Sequence, residues 1–145
     1  MKTINKTTER KDRNVILSTL WIFAILNYAY CDVVTVLDPV KNSPFQLTQV
    51  FLLGASIFIE IPIAMVLLSR VLGYGANRWA NIIAGIFMTI VQIVSLFTAV
   101  PTMYYVFFSI VEISATALIV WYAWTWSHPE SVVLTDADSG LLSAR

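Results

Sequence analysis

Two carboxylic acids, Glu60 and Glu112, lie deep inside long apolar runs, and a third, Asp32, lies nearer the edge of another. Asn27, Gln92 and Tyr28, which can donate or accept hydrogen bonds, fall inside the same runs. A charged group near the middle of a bilayer-spanning helix costs about 2.5 to 3.5 kcal/mol on insertion scales, so it needs a partner, a wet cavity or a proton. The chemistry open to this set is the holding of a proton, a cation or an amine. Other chemistry finds little support. His128 is the only histidine and lies beyond the last apolar run, so no imidazole inside the membrane can serve a serine as base, and a histidine-ligated metal is not expected. Cys31 is the only cysteine, which excludes an intrachain disulfide and a cysteine metal cluster within one chain. Beside Asp32 it reads as a packed small residue. Gly54 and Gly85 stand alone and match no phosphate-binding loop, and no cofactor motif is present, so no metal, no cofactor and no catalytic residue is assigned.

The elements that must position these groups follow from composition. Of the 145 residues 58% are hydrophobic and 12% charged, against roughly 45–50% and 25% in a soluble domain. The chain is expected to be an all-α integral membrane four-helix bundle. Residues 1–14 form a basic arm with Lys2, Lys6, Arg10, Lys11 and Arg13. A signal-peptide reading of this arm and the following run is disfavoured, because Tyr30 precedes Cys31 where a cleavage site wants a small residue. Residues 15–126 form the transmembrane domain, with spans expected at 15–37, 46–72, 79–100 and 103–126. Each is long enough, at 1.5 Å per residue, to cross a hydrocarbon core of about 30 Å. Asp38 to Pro44, with two prolines, suits a turn, and so does Gly73-Tyr74-Gly75. The break before Pro101 is short, which makes the third and fourth spans antiparallel neighbours. The tail, 127–145, is polar and acidic and is expected to be disordered.

Within the second span Ser56, Glu60 and Ala64 are four apart and make a narrow face that would let a neighbouring helix approach closely. Pro62 beside them frees the carbonyl of Phe58 and can bend the helix. On the third span Asn81, Gly85, Met88, Gln92 and Ser95 fall on one stripe, and on the fourth Tyr105, Ser109, Glu112, Thr116, Ile119 and Ala123 do so. Both stripes are expected to face inward. Asn81 reads as an end residue that caps or packs. Asn27, Glu60, Gln92 and Glu112 all fall within roughly 5 Å of their helix midpoints, while Asp32 lies about 9 Å toward the outer face. The expectation is one polar layer drawn from all four helices, with Glu60 and Glu112 as counterparts and no Lys, Arg or His at that depth. Either the layer is interhelical glue, or it lines a small cavity for proton-linked binding or transport of a solute. Tyr28 with Asp32 shares a face of the first span, where snorkelling to water is the competing explanation.

Orientation follows from the cations. With both termini inside, the arm, the link from Arg70 to Arg78 and the tail carry eight of the nine Lys and Arg residues, and only Lys41 lies outside. The positive-inside rule therefore gives an N-in, C-in, multi-pass protein of a cell inner membrane with both termini cytoplasmic. Trp121, Trp124 and Trp126 at one end of the fourth span, and Tyr104 and Tyr105 at the other, suit interfacial belts. The expected partners are the lipid bilayer, a small cationic or apolar ligand and a second copy of the chain. Nucleic acid has no support beyond the basic arm.

The segments Leu17 to Phe23, Phe58-Ile59-Glu60-Ile61-Pro62-Ile63-Ala64-Met65, Asn77-Arg78-Trp79-Ala80-Asn81, Tyr104 to Phe108 and Trp121-Tyr122-Ala123-Trp124 resemble a family of small bacterial four-span membrane proteins catalogued as a domain of unknown function. That resemblance implies a bacterial inner-membrane location, and it carries no activity and no site residue over. A looser likeness in architecture, to four-helix membrane proteins of the DoxX type and to carboxylate-bearing small drug exporters, is fold-level analogy. The charge bias sets the chain apart from dual-topology exporters. As an alternative function, the chain would be a non-catalytic membrane subunit or scaffold whose polar layer only fixes helix packing.

Overall fold

In hydrocarbon every backbone N–H and C=O must find its partner within the protein, and an apolar run meets that demand by coiling into a helix. The computed structural model of the chain describes residues 2–38, 48–98 and 101–126, and the side chains within them from residue 11 on. They form four helices: α1 (Lys2–Leu37), α2 (Gln49–Val71), α3 (Tyr74–Thr98) and α4 (Met103–Trp124). No strand occurs among the described residues. All four helices are long and apolar enough to cross a membrane. The turn expected over 39–44 and the acidic tail 127–145 lie outside the described residues.

Helix α1 takes in the basic arm back to Lys2: residues 2–14 contain no glycine or proline, and their three lysines, two arginines and one glutamate lose little on entering a helix. The second break is also tighter than the expected Gly73-Tyr74-Gly75 turn. Leu72 turns extended at the end of α2, only Leu72 and Gly73 separate it from α3, which begins at Tyr74, and the Asn77 N–H is bonded to the Gly73 carbonyl at 2.8 Å. Asn77 and Arg78 therefore stand on α3, not in a loop. Helix α2 starts at Gln49, three residues later than expected, with the Thr48 side chain accepting from the Phe51 N–H as an N-cap. It runs unbroken through Pro62.

Helix α1 packs against α2 and α4, and α3 packs against α4 and α2, so the bundle closes on itself. Its core joins Leu17, Trp21 and Ala24 of α1 to Met65 of α2, Ala84 and Met88 of α3, and Ile119 of α4. The inward stripes on α3 and α4 are buried as their spacing predicts: Asn81, Gly85, Met88 and Gln92 on the first, and Ser109, Glu112, Thr116, Ile119 and Ala123 on the second. Gly85 sets how close these two helices lie. A Cβ there would stand 2.6 Å from the Val120 Cγ2, which also explains why the Thr89 and Thr116 hydroxyls meet at 2.7 Å.

Helix α2 departs from expectation. Its buried residues are Pro62, Met65 and Ser69, which lie opposite the Ser56-Glu60-Ala64 face. Ser56 and Glu60 are exposed among the described residues. The reason is that α2 is apolar nearly all round, so the helix can bury its proline and methionine side and leave the polar positions outside.

Candidate functional site

Glu112 is the one expected layer residue whose carboxyl is sealed inside. It is 1% exposed, and neither carboxyl oxygen has a hydrogen-bond partner among the described residues. It reaches this position because Ser109, Glu112, Thr116 and Ile119 follow the helical repeat and α4 turns that stripe toward the bundle axis. The Tyr28 hydroxyl of α1, also buried and without a hydrogen-bond partner among the described residues, lies within electrostatic reach of it, as do Cys31, Tyr105 and Asp32. Burying an unsatisfied polar group costs about 1 to 3 kcal/mol, and more if the group is charged.

Glu60 does not join this group. Its side chain is on the outside of α2, so the expected pairing of Glu60 with Glu112 in one layer is corrected. The layer breaks at Asn27 as well. That amide is half-buried and donates to the Phe23 carbonyl of its own helix at 2.9 Å. Gln92 is inside at 6% exposure and donates to the Ser109 hydroxyl at 2.8 Å, tying α3 to α4. A turn further along, the Ser95 and Tyr105 hydroxyls meet at 2.7 Å.

Asp32 and Tyr28 share a face as their spacing requires, and they line a small cleft between α1 and α2. The Asp32 side chain is exposed and marks its polar rim. The cleft has a volume of about 110 Å³ and is walled by Ile25 and Ala29 of α1, by Phe58, Ile59 and Pro62 of α2, and by Met88 of α3. The Tyr28 ring meets the Phe58 ring edge-on, with centroids 6.4 Å apart. Drug-sized pockets run from roughly 300 Å³ upward, so this one suits a molecule of a few heavy atoms.

A second polar assembly was missed as such. Asn81, read from sequence as an end residue, is fully buried at the centre of a hydrogen-bonded hub. Its Oδ1 accepts from the Trp21 Nε1 at 2.7 Å and from the Ser69 hydroxyl at 3.1 Å. Its Nδ2 donates to the Asn77 carbonyl at 2.8 Å and to the Asn77 Oδ1 at 2.7 Å. Asn77 in turn donates to the Ser69 carbonyl at 2.7 Å and to the Asn14 side chain at 3.0 Å. Beside the hub, Ser18 donates to the Val66 carbonyl and accepts from the Arg70 Nε, each at 3.0 Å. The signal in the sequence was the i, i+4 spacing of two asparagines with serines at the matching depth of two other spans. Both ends of the Asn77 and Asn81 side-chain amides are bonded, which makes the hub a fastening. At the same end Tyr74 donates to the Trp126 carbonyl at 2.6 Å, and the Arg78 guanidinium lies over the Trp124 ring.

No group of three or more His, Cys, Asp or Glu side chains that could hold a metal ion occurs among the described residues. Residues 1–133 match a family described as a family of unknown function, DUF6326. The chain belongs to that family. The DUF6326 match takes in all four helices, the hub and Glu112, and it brings no activity with it. No curated protein and no solved structure matches the chain.

Proposed function

We propose that this chain binds or transports a small cationic or apolar solute in a proton-linked manner, with Glu112 as the group that holds the proton. The observation that carries this reading is the sealed Glu112 carboxyl, whose two oxygens lack any partner among the described residues, as does the buried Tyr28 hydroxyl. A carboxyl kept only for packing is expected to have its hydrogen bonds made, as those of Asn81, Asn77 and Gln92 are. A carboxyl without partners in an apolar interior favours the neutral acid and becomes a carboxylate when a cation arrives to pair with it. The cleft between α1 and α2, with Asp32 at its rim and Tyr28 on its wall, is the proposed approach.

The proposed setting is a bacterial inner membrane, with neighbouring helices antiparallel and both termini cytoplasmic. The cation count supports this orientation. The antiparallel arrangement is supported by the gathering of Asn14, Arg70, Asn77 and Trp124 contacts at one end of the bundle, which brings the starts of the first and third spans together with the ends of the second and fourth.

Tetramethylammonium is a fitting first probe, because it is a permanent cation of few heavy atoms. When it is added to the purified protein in weakly buffered detergent solution containing a pH dye, a saturable release of protons is expected. Glu112→Gln should fold and release none. Equal release from Glu112→Gln, or none from the unaltered protein, would sink the proposal.

The alternative is a non-catalytic subunit or scaffold. Its support is the fully satisfied hub around Asn81 and the Gln92–Ser109 bond, which fix helix register without any ligand. Under that reading Glu112→Gln keeps the fold and every phenotype of the cell that carries it.

A further inference from the structure

The two ends of the bundle are closed to very different degrees around Glu112. Between Glu112 and the hub end, the inward residues Thr116, Ile119 and Ala123 of α4 are all buried, and Leu17, Trp21 and Met88 fill the space they face. At 1.5 Å per residue this filled stretch, from Glu112 to Trp126, is roughly 20 Å long. The hub fastens it. The Trp21 Nε1 and the Ser69 hydroxyl both end on the Asn81 Oδ1, and Asn77 ties the Ser69 carbonyl to Asn14. Parting the helices there would break these bonds together and strand buried donors. In the other direction the core stops at the level of Glu112. The outermost buried residues of α1, α2, α3 and α4 on that side are Cys31, Pro62, Gln92 and Ser109, and Ser109 is less than a turn from Glu112. Beyond them Asp32 is exposed, and Ser95, Tyr104 and Tyr105 are half-buried. The Cα–Cβ bonds of a helix tilt toward its N-terminus. Helix α4 starts at this open end, so Glu112 leans toward it, while α1 starts at the hub end, so Asp32 leans back toward Tyr28 and the interior.

We propose that the Glu112 site is served from one face of the membrane only, the face at which Asp32 lies, and that the hub end is a permanent plug. The proposal rests on the reading of Glu112 as the group that binds. A site open at one end loads and unloads on the same side. Of binding and transport, the chain therefore performs binding: it is a receptor for a small cation on that side and carries nothing across. With the cations of the hub end cytoplasmic, as in the orientation proposed above, the served face is the outer one.

The test is thiol labelling of the full chain in sealed right-side-out and inside-out vesicles, on a Cys31→Ser background. The reagent is trimethylammonium-ethyl methanethiosulfonate, a small quaternary cation that does not cross bilayers. Gly73→Cys, where a Cβ meets nothing within 4 Å, marks the hub side, and the exposed Thr102→Cys marks the other. Glu112→Cys should react from the Thr102 side at least roughly tenfold faster than from the Gly73 side, because reaction from the latter waits on opening of the packed core. Tyr28→Cys keeps Glu112 in place and should show the same preference, so the result does not hang on one variant folding. Labelling accumulates, and a carrier that opened to the hub side even rarely would be labelled from both sides. Comparable labelling from the Gly73 side overturns the proposal, as does failure of both variants to react from either side. The outcome is separate from that of proton release: one-sided labelling without release retires the proton-linked reading and keeps the one-sided site, and two-sided labelling with release does the reverse.

Discussion

The indole N–H of Trp21 donates to the Asn81 side-chain oxygen at 2.7 Å, a bond that crosses the bundle from α1 to α3. The two helices stand at opposite corners, each packed mainly on α2 and α4. A diagonal bond of this kind fixes both the rotation and the depth of the helices it joins, and the same oxygen also receives the Ser69 hydroxyl of α2.

Asn81→Leu should therefore destabilise the protein although it adds apolar volume. It leaves the Trp21 N–H and the Ser69 hydroxyl buried without their acceptor. Membrane hydrogen bonds average about 0.6 kcal/mol each, and stranded donors cost more, so a loss of about 2 kcal/mol is expected. Unfolding in mixed detergent micelles, followed by tryptophan fluorescence, measures it. A variant as stable as the original protein would show that the hub contributes nothing net.

Replacing Glu112 should do the opposite. Glu112→Met keeps the length of the side chain and removes a buried polar group with no partner, so stability should rise by about 1 to 3 kcal/mol. Cation-dependent proton release should disappear in the same variant. Stabilisation together with lost function is the pattern expected of a group retained for chemistry. Destabilisation would return Glu112 to the role of glue.

Close approach of α3 and α4 depends on Gly85. Gly85→Val places branched carbon where the Val120 side chain already stands, and overpacking of this kind costs typically 1 to 3 kcal/mol. A milder companion, Thr89→Val, removes the Thr89–Thr116 contact without forcing the helices apart and should cost less than Gly85→Val. The two measured in one unfolding series separate packing from hydrogen bonding. Equal costs would contradict this account.

Cys31 is 5% exposed on the inward side of α1. A membrane-permeant maleimide should label it at least roughly tenfold more slowly in the folded protein than after denaturation, because the thiol must be reached to react. Rapid labelling in the folded state would show that the Tyr28 region opens readily.

Sequence reading succeeded where polar residues repeat at helical spacing against an apolar background. The stripes through Gln92 on α3 and Glu112 on α4 were legible for that reason, and both are buried. On α2 polarity does not mark the inner face. There the inward residues are Pro62, Met65 and Ser69, which differ little from lipid-facing ones in hydropathy. Spacing and depth point Glu60 inward, because Ser56 and Ala64 make a narrow face around it and it lies as deep as Glu112, but neither signal says which side of α2 meets its neighbours. Asn81 was undervalued because depth was counted from the expected span start at Trp79. The helix in fact begins at Tyr74, which brings Asn81 a further turn inside. Thr48 as an N-cap, by contrast, needs only a hydroxyl before a helix and is the sort of local signal a sequence carries openly.

Hydrogen bonds that join α2 to α1 and α3 gather between Val66 and Arg70, in its last turns. About two turns further back, α2 leans on Tyr28 and Phe87 through the Phe58 ring. Mechanically this makes the hub a clamp and Phe58 a rest: lateral pressure in the bilayer that tilts α2 about the hub is read out first as a change in the gap beside Tyr28.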